Sequence, residues 1–190
     1  MTAQPTVLDF LLTRRSRPAK LLTDPGPDEA QLMTLLAAAT RVPDHGKLEP
    51  WRFVIIQGAA RALFARKLRA RADALGLEPE KSERAASCFE TSPLVVVVIA
   101  SPKPSEKIPE IEQTLSAGAV CLSLVNAALA SGWGACWLSG WPAYDGAIQE
   151  ALALEPQEWI SGFIHIGTAS AIPPERPRPD IASLVTRFHG

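Results

Sequence analysis

The chain has 190 residues, of which 47% are hydrophobic and 21% are charged, and its formal net charge is -1 at pH 7. This length predicts one domain over residues 1–190 that is large enough to bury a substantial core. A charge this close to neutral argues against general electrostatic binding to nucleic acid or to an anionic membrane.

The N-terminus and the cysteines both indicate a cytoplasmic protein. The opening MTAQPTVLDF lacks the basic region and the long apolar region of a signal peptide. The apolar run from Leu94 to Ala100 is far shorter than the roughly 20 residues that span a bilayer. Cys88, Cys121 and Cys136 are widely spaced, so buried free thiols are favoured over a metal or redox site.

Periodicity and turn residues predict an alternation of helices and strands. Thr6 and Asp9 form a capping pair at the start of the first helix, and Gly76 ends the third helix. In chain order the predicted elements are a helix over 6–16, a helix over 28–40, a strand over 51–57, helices over 59–75 and 79–88, a strand over 94–100, a helix over 109–132, a strand over 134–139, a helix over 147–154 and a strand over 159–168.

Three segments carry information about packing. The strand LVVVVIA has no polar alternation, which predicts a central strand covered on both faces. From Ala117 onward the long helix is apolar almost all round, which predicts burial on every side and indicates that a second subunit covers part of it. The proline-rich tail over 171–188 is too stiff for a core helix, and it either lies along a surface or crosses to another chain.

The sequence contains no G-x-S-x-G, H-E-x-x-H, P-loop or G-x-G-x-x-G motif, so the candidates that remain are residues for binding an anion. Arg14, Arg15 and Ser16 can bind phosphate through guanidinium groups and a hydroxyl. Basic residues at a helix end equally complement the helix dipole. Arg176 and Arg178 stand in the stiffened tail, where arginines are otherwise solvated.

Two loops offer polar groups for a flat ligand. His45 and Lys47 can donate hydrogen bonds to carbonyls or a ring nitrogen, or they belong to a solvated turn. In the segment SGWGACWLSG, Gly132 and Gly134 permit a close approach of the backbone to a ligand. The alternative is a helix stop followed by a core strand with packed Trp side chains. The residues by themselves leave both alternatives open for each loop.

The order and spacing of these motifs resemble the nitroreductase family of flavin mononucleotide (FMN) enzymes. The resemblance runs from about residue 7 to residue 188 and is strongest to a compact subgroup that carries Pro-Asp-His before its first long strand. The motifs that carry it are Arg14-Arg15-Ser16, Arg41-Val42-Pro43-Asp44-His45, Glu49-Pro50-Trp51, Glu112-Gln113 with Ser116-Ala117-Gly118, Gly132-Trp133-Gly134 with Trp137 and Ser139, Gly162-Phe163, and Ile166-Gly167-Thr168.

The resemblance implies an α+β fold, a three-layer α/β/α sandwich with a mixed, mainly antiparallel central sheet. It also implies an intertwined homodimer with two FMN sites at the subunit interface. It assigns Arg14, Arg15 and Ser16 to the phosphate and ribityl end of FMN, together with Arg178 in the tail. Near the ring it places Arg41 and His45 from the partner subunit, and Lys47. The backbone of Trp137, Leu138 and Ser139 would approach the other side of the ring. Residues 127–132 are suggested for the nicotinamide cofactor.

Three positions depart from the pattern of the family. Lys47 stands where the wider family usually has Asn, Glu49 where it has Gln, and Leu138 where the compact subgroup can carry an arginine. A lysine near the pyrimidine edge of a flavin would favour the anionic reduced form and raise its potential. Leu138 makes the mouth of the pocket more apolar.

The function implied is an FMN-dependent oxidoreductase that uses NADH or NADPH to reduce nitroaromatic or quinone-like acceptors. Hydride transfer at flavin N5 would follow ping-pong kinetics, without a catalytic acid or base from the protein in the first step. The alternatives are a non-catalytic flavin-binding dimer and another flavin reaction on the same fold, such as dehalogenation or flavin fragmentation. The loop over 101–109 is short for the lid that such reactions usually need.

Overall fold

A computed structural model describes residues 6–189, in which five strands form an antiparallel sheet between helices. The helices are α1 (Val7–Thr13), α2 (Glu29–Ala39), α3 (Ala59–Ala74), α4 (Pro79–Thr91), α5 (Glu110–Ala130), α6 (Trp141–Tyr144), α7 (Gly146–Ala151) and α8 (Ile181–Leu184). The strands are β1 (Leu22–Thr23), β2 (Trp51–Gln57), β3 (Leu94–Ala100), β4 (Gly134–Leu138) and β5 (Trp159–Ala169). Short 3-10 turns cover Ala19–Leu21 and His45–Lys47.

The apolar strand β3 lies at the centre of the sheet, between β2 and β5. It pairs with β2 from Trp51↔Ala100 to Gln57↔Leu94, and with β5 along its other edge. All seven of its residues are buried, as the absence of polar alternation predicts. The long strand β5 also pairs with β4 and β1.

Helices cover both faces of this sheet, because successive residues of β3 point to opposite sides. Val96 and Val98 pack with α2 and α5, whereas Val95 and Val97 pack with α3, α4 and α7. The predicted α+β fold and three-layer α/β/α sandwich are therefore confirmed. The four strand pairings between described residues are all antiparallel.

The long helix α5 is buried along one side only. Its 21 residues are long and apolar enough to cross a membrane, but eight of them are buried inside the protein, chiefly against the sheet and α2. Ile111, Leu115 and Leu122 remain exposed. Helix α1 has no buried residue at all. The sequence predicts a second subunit over part of the helix from Ala117 onward, where Leu122 is exposed, whereas Ile111, Leu115 and α1 lie outside that prediction.

Some boundaries differ from the prediction for identifiable reasons. Helix α1 ends at Thr13, and Arg14 has extended backbone angles, so the run Arg14-Arg15-Ser16 follows the helix instead of continuing it. The helix predicted at 147–154 begins at Gly146, where Asp145 caps it, and ends at Ala151. The two-residue strand β1 was not predicted, because a strand this short has no periodicity.

Candidate functional site

Four arginines from the two ends of the chain lie close together. The pKa of Arg14 is lowered, first by burial and then by the positive charges of Arg178, Arg15 and Arg17. One Arg14 nitrogen, Nη2, donates to Ser16 Oγ over 3.1 Å, but Nε of Arg14 is buried and has no hydrogen-bond partner within residues 6–189. Clustered guanidinium groups with an uncommitted buried donor form a site that an anion would stabilise.

One carboxylate, Glu175, is paired with this arginine cluster. Its Oε1 accepts from Arg178 Nε at 3.0 Å and lies 3.7 Å from Arg15 Nη1. Arg15 also donates to the carbonyl of Pro174. The pKa of Glu175 is lowered, first by a hydrogen bond from the backbone of Arg176 and then by Arg178 and Arg15. Arg176, the other tail arginine, therefore contacts the cluster through its backbone.

A cavity of about 450 Å³ opens beside the arginines. Its lining residues are Phe10, Thr13, Arg14, Arg15, Arg17, Leu129, Gly132, Trp133, Gly134, Thr168, Ala169 and Ile172. Gly134 is required by packing: a Cβ there would lie 2.6 Å from Leu22 Cδ2 and 2.8 Å from Ala169 Cβ. The absence of a side chain at Gly134 therefore allows the neighbouring strands to pack closely, which favours core packing over a close approach to a ligand as the role of this glycine.

A second cavity of about 480 Å³ lies where the 3-10 turn after the arginine run meets α4 and the end of β4. Its lining residues are Pro18, Ala19, Lys20, Lys81, Arg84, Ala85, Ser87, Cys88, Phe89, Leu138, Ser139, Gly140, Trp141, Pro142, Phe163 and His165. Most of these are apolar, and three carry a positive charge. This volume and this mixture are typical of a site for a small organic ligand.

The segment 137–139 sends its side chains to different sides. The Trp137 indole packs on Gly162, and its Nε1 donates to the carbonyl of Ser161 over 3.1 Å. Leu138 and Ser139 are exposed and line the cavity of about 480 Å³. The alternation of a strand therefore lays Trp137, which is 41% exposed, along Gly162 on one face and leaves Leu138 at the cavity wall on the other.

The loop that begins at Arg41 is closed by the side chain of Asp44. Asp44 accepts hydrogen bonds from the backbone N–H groups of Leu48 at 3.1 Å and Glu49 at 2.9 Å. These bonds stabilise a turn in which Lys47 and Glu49 have positive φ angles of 53° and 48°. The Asp44 hydrogen bonds therefore offset the backbone strain at Lys47 and Glu49.

Helix α5 anchors the same loop from outside. Ser116 Oγ donates to the carbonyl of Pro43 over 2.8 Å and accepts from Trp51 Nε1 over 3.2 Å. His45 Nδ1 lies 2.7 Å from Oε2 of Glu112, in the first turn of α5. The predicted motif around Glu112 therefore contacts the predicted motif around His45.

The sequence model described as "Nitroreductase family" matches residues 11–168. The chain belongs to the nitroreductase family. Among similar proteins, Escherichia coli K12 YdjA, which has the provisional name of an NAD(P)H nitroreductase, is 35% identical over 161 residues, covering 85% of this chain and 87% of YdjA. A provisionally named NAD(P)H nitroreductase of Haemophilus influenzae is 35% identical over 162 residues, covering 85% and 87%.

Solved structures show the same fold. A nitroreductase-like family protein from Bacillus cereus superposes with a TM-score of 0.84 at 22% identity, covering 100% of both chains. A provisionally named nitroreductase from Desulfovibrio desulfuricans, solved in complex with FMN, superposes with a TM-score of 0.75 at 22% identity and covers 98% of both chains.

The fold of this nitroreductase-family protein brings one group of the predicted site residues together. Arg14, Arg15, Ser16 and Arg178 converge, and Leu138 and Ser139 line the larger cavity, whose wall also includes Pro18, two residues after Ser16. Arg41, His45 and Lys47 are exposed, and in the described part of the chain they line neither cavity. The structure therefore places the predicted residues in two separate groups on one subunit.

Two of the three cations of the larger cavity, Lys81 and Arg84, were missed in the sequence, whereas Lys20 stands just after the predicted arginine run. Lys81 and Arg84 are three residues apart, which places them on the same face of α4, and Lys20 faces them from the 3-10 turn. The spacing of Lys81 and Arg84 was the available signal, but it is also typical of a solvated helix face.

The three cysteines are free, and two of them are fully buried. Burial raises the pKa of the Cys121 and Cys136 thiols to about 12. Cys88 is half-buried in the wall of the larger cavity, where burial also raises its pKa. The prediction of buried free thiols is confirmed for Cys121 and Cys136, and Cys88 differs because it faces the cavity.

Proposed function

We propose that this protein is an FMN-dependent oxidoreductase of the cytoplasm that acts as a homodimer. It uses NADH or NADPH to reduce electron-poor acceptors such as nitroaromatics or quinones. One observation carries the proposal: the buried Nε of Arg14, which has no hydrogen-bond partner among the described residues, belongs to a cluster of four guanidinium groups, three of which line the cavity of about 450 Å³. The names of the relatives and the FMN in the Desulfovibrio desulfuricans structure support the same assignment.

The arginine cluster fits the phosphate end of FMN. A phosphate carries nearly two negative charges at neutral pH and accepts paired hydrogen bonds from guanidinium groups. Arg14, Arg15, Ser16 and Arg178 are the residues that would hold it. The positive charges that lower the pKa of Arg14 are the charges that a dianion would compensate.

The larger cavity fits the ring of FMN. Its apolar walls would take a flat aromatic body, and Lys20, Lys81 and Arg84 place positive charge at its edge. The carbonyl groups at one edge of the flavin ring need hydrogen-bond donors, because burying a carbonyl without a hydrogen bond is costly. Leu138 and Ser139 complete the wall on the side of β4.

When bound, FMN would accept a hydride at N5 from reduced nicotinamide and pass the electrons to the acceptor. The residues of the chain bind the phosphate, orient the ring and exclude water from the cavity walls. None of these tasks requires a nucleophile, which agrees with a sequence that contains no nucleophile motif.

The second copy of the chain is part of the proposal. Arg41, His45 and Lys47 stand on a rigid exposed loop, and they would complete the flavin site of the partner. Large exposed apolar side chains on α1 and α5, such as Leu8, Leu11, Ile111, Leu115 and Leu122, give the two copies a surface to bury.

The test starts with the colour of the purified protein. A yellow protein that releases its pigment on heating carries FMN without a covalent bond. Anaerobic addition of NADH or NADPH is expected to bleach the flavin, and initial rates with a quinone are expected to give parallel double-reciprocal lines. A colourless monomer with no affinity for added FMN would refute the proposal, whereas a flavin that neither cofactor bleaches would indicate a flavin-binding dimer without turnover.

A matched pair of variants tests the phosphate assignment. Arg14→Ala is expected to weaken FMN binding about tenfold or more, because a charge-assisted hydrogen bond contributes roughly 1.5 to 3 kcal/mol. Riboflavin, which lacks the phosphate, is expected to bind both proteins equally. Arg66→Ala, which removes an exposed arginine of α3, is the control and is expected to change neither affinity.

A further inference from the structure

We propose that Glu112 is a positioning residue that fixes the tautomer of His45, so that His45 presents Nε2 to the FMN site of the partner subunit. The inference rests on the proposed function, because it needs both the flavin and the second copy of the chain. The contact between Glu112 and His45 can be tested without the flavin or the second copy, since it lies within one chain.

The contact determines which nitrogen of His45 carries hydrogen. Nδ1 of His45 lies 2.7 Å from Oε2 of Glu112, a short distance that is typical of a hydrogen bond to a charged group. An ionised carboxylate can only accept, so Nδ1 is the donor. In the neutral imidazole Nε2 is then a lone-pair acceptor, and in the charged imidazole it is a second donor.

Both partners of this contact are held by their surroundings. Next to Glu112, Gln113 is buried and exchanges two hydrogen bonds with the backbone of Lys103, at 2.7 Å and 2.9 Å. On the other side, Asp44 closes the loop that carries His45. Both side chains therefore project from segments held by hydrogen bonds, which favours a defined orientation of the imidazole.

The exposure of the pair argues that its role is orientation rather than stability. The side chains are 63% exposed for His45 and 45% exposed for Glu112. Exposed ion pairs contribute little to folding, so a hydrogen bond this short on a rigid loop has little value to the isolated subunit. A partner subunit would cover His45, and a fixed tautomer then matters because a buried ring nitrogen must meet a matching group.

The first experiment measures the tautomer directly. Long-range ¹⁵N–¹H NMR spectra of the labelled protein, at a pH where the imidazole is neutral, report which nitrogen of His45 is protonated, and His45→Gln assigns the signal. The wild type is expected to show Nδ1–H. Glu112→Ala is expected to lose this preference, and Glu112→Gln to retain part of it. Glu110→Gln, in the same first turn of α5, is the matched control and is expected to resemble the wild type.

The second experiment measures binding by flavin fluorescence. Glu112→Ala is expected to weaken FMN and riboflavin binding by the same factor, about two- to tenfold, because one hydrogen bond to the ring is lost or misdirected. This equal effect separates a residue that acts at the ring from Arg14, whose removal affects FMN alone.

Two results would overturn the inference. One is a wild-type His45 that carries its hydrogen on Nε2. The other is a Glu112→Ala protein whose tautomer changes while its affinities for both flavins stay the same. If the wild type binds no flavin, the proposed function fails with it, whereas flavin binding without an effect of Glu112 overturns this inference alone.

Discussion

The ion pair between Arg52 and Glu158 is expected to stabilise the fold substantially. Arg52, on β2, donates to both carboxylate oxygens of Glu158, from Nε at 2.8 Å and from Nη2 at 2.6 Å. The Glu158 side chain is only 2% exposed, whereas that of Arg52 is 36% exposed. Removing the charge of a buried carboxylate, or the partner that donates two hydrogen bonds to it, strongly destabilises the folded protein.

The pKa of Glu158 sets the size of this effect. It is lowered to about 2, chiefly by the hydrogen bonds from Arg52 against the opposing effect of burial, with smaller contributions from the backbone of Glu155 and the side chain of Ser101. Relative to an unfolded chain this corresponds to about 3 kcal/mol at neutral pH. Because the folded pKa is the lower one, the contribution is complete above the unfolded value of about 4.3 and is lost as the pH falls from there toward 2.

Glu158→Gln tests this reasoning. At pH 7 the free energy of unfolding, measured with urea at one protein concentration and one flavin concentration, is expected to fall by about 3 kcal/mol. The gap between variant and wild type is expected to narrow steadily as the pH is lowered below about 4. Glu150→Gln, which changes an exposed glutamate of α7, is the control and is expected to stay within about 0.5 kcal/mol of wild type. A loss that does not depend on pH would refute the electrostatic account.

Three further outcomes concern the flavin site. Glu175→Gln is expected to tighten FMN binding up to about fivefold and to leave riboflavin binding unchanged, because Glu175 competes with the phosphate for Arg15 and Arg178; weaker FMN binding in a fluorescence titration would contradict this. Lys47→Ala is expected to lower the two-electron potential of the bound flavin by about 30 mV, the equivalent of about 1.4 kcal/mol, and an unchanged potential in a dye-coupled redox titration would remove this role. Iodoacetamide is expected to modify Cys88 alone in the native protein, and FMN is expected to slow the reaction because Cys88 lines the larger cavity. Peptide mass spectrometry measures both effects. A modification rate that FMN leaves unchanged would contradict the placement of the flavin ring in this cavity.

Features encoded by neighbouring residues were predictable. The capping pair of Thr6 and Asp9 is present at the start of α1, with both hydrogen bonds of a capping box. The unbroken apolar run of β3 correctly indicated a strand buried on both faces. These features depend on residues a few positions apart, so periodicity and local hydrogen bonding are sufficient to predict them.

The composition of the site could not be predicted in the same way. Lys81 and Arg84 have the spacing of an ordinary solvated helix face, and the cavity against which they lie exists only because α4 meets the end of β4. Glu158 reads as one more surface glutamate until β2 brings Arg52 beside it, 106 positions away in the chain.

The sequence by itself therefore determined the helices, the central strand, the anchoring motifs and the family that they resemble. Only the tertiary structure decided that Arg178 joins Arg14, that Glu175 is paired with their cluster, and that Glu112 meets His45. The physical reason is that periodicity reports the solvent exposure of each residue, whereas charge pairing depends on which distant segments the packed sheet and helices bring within a few ångströms.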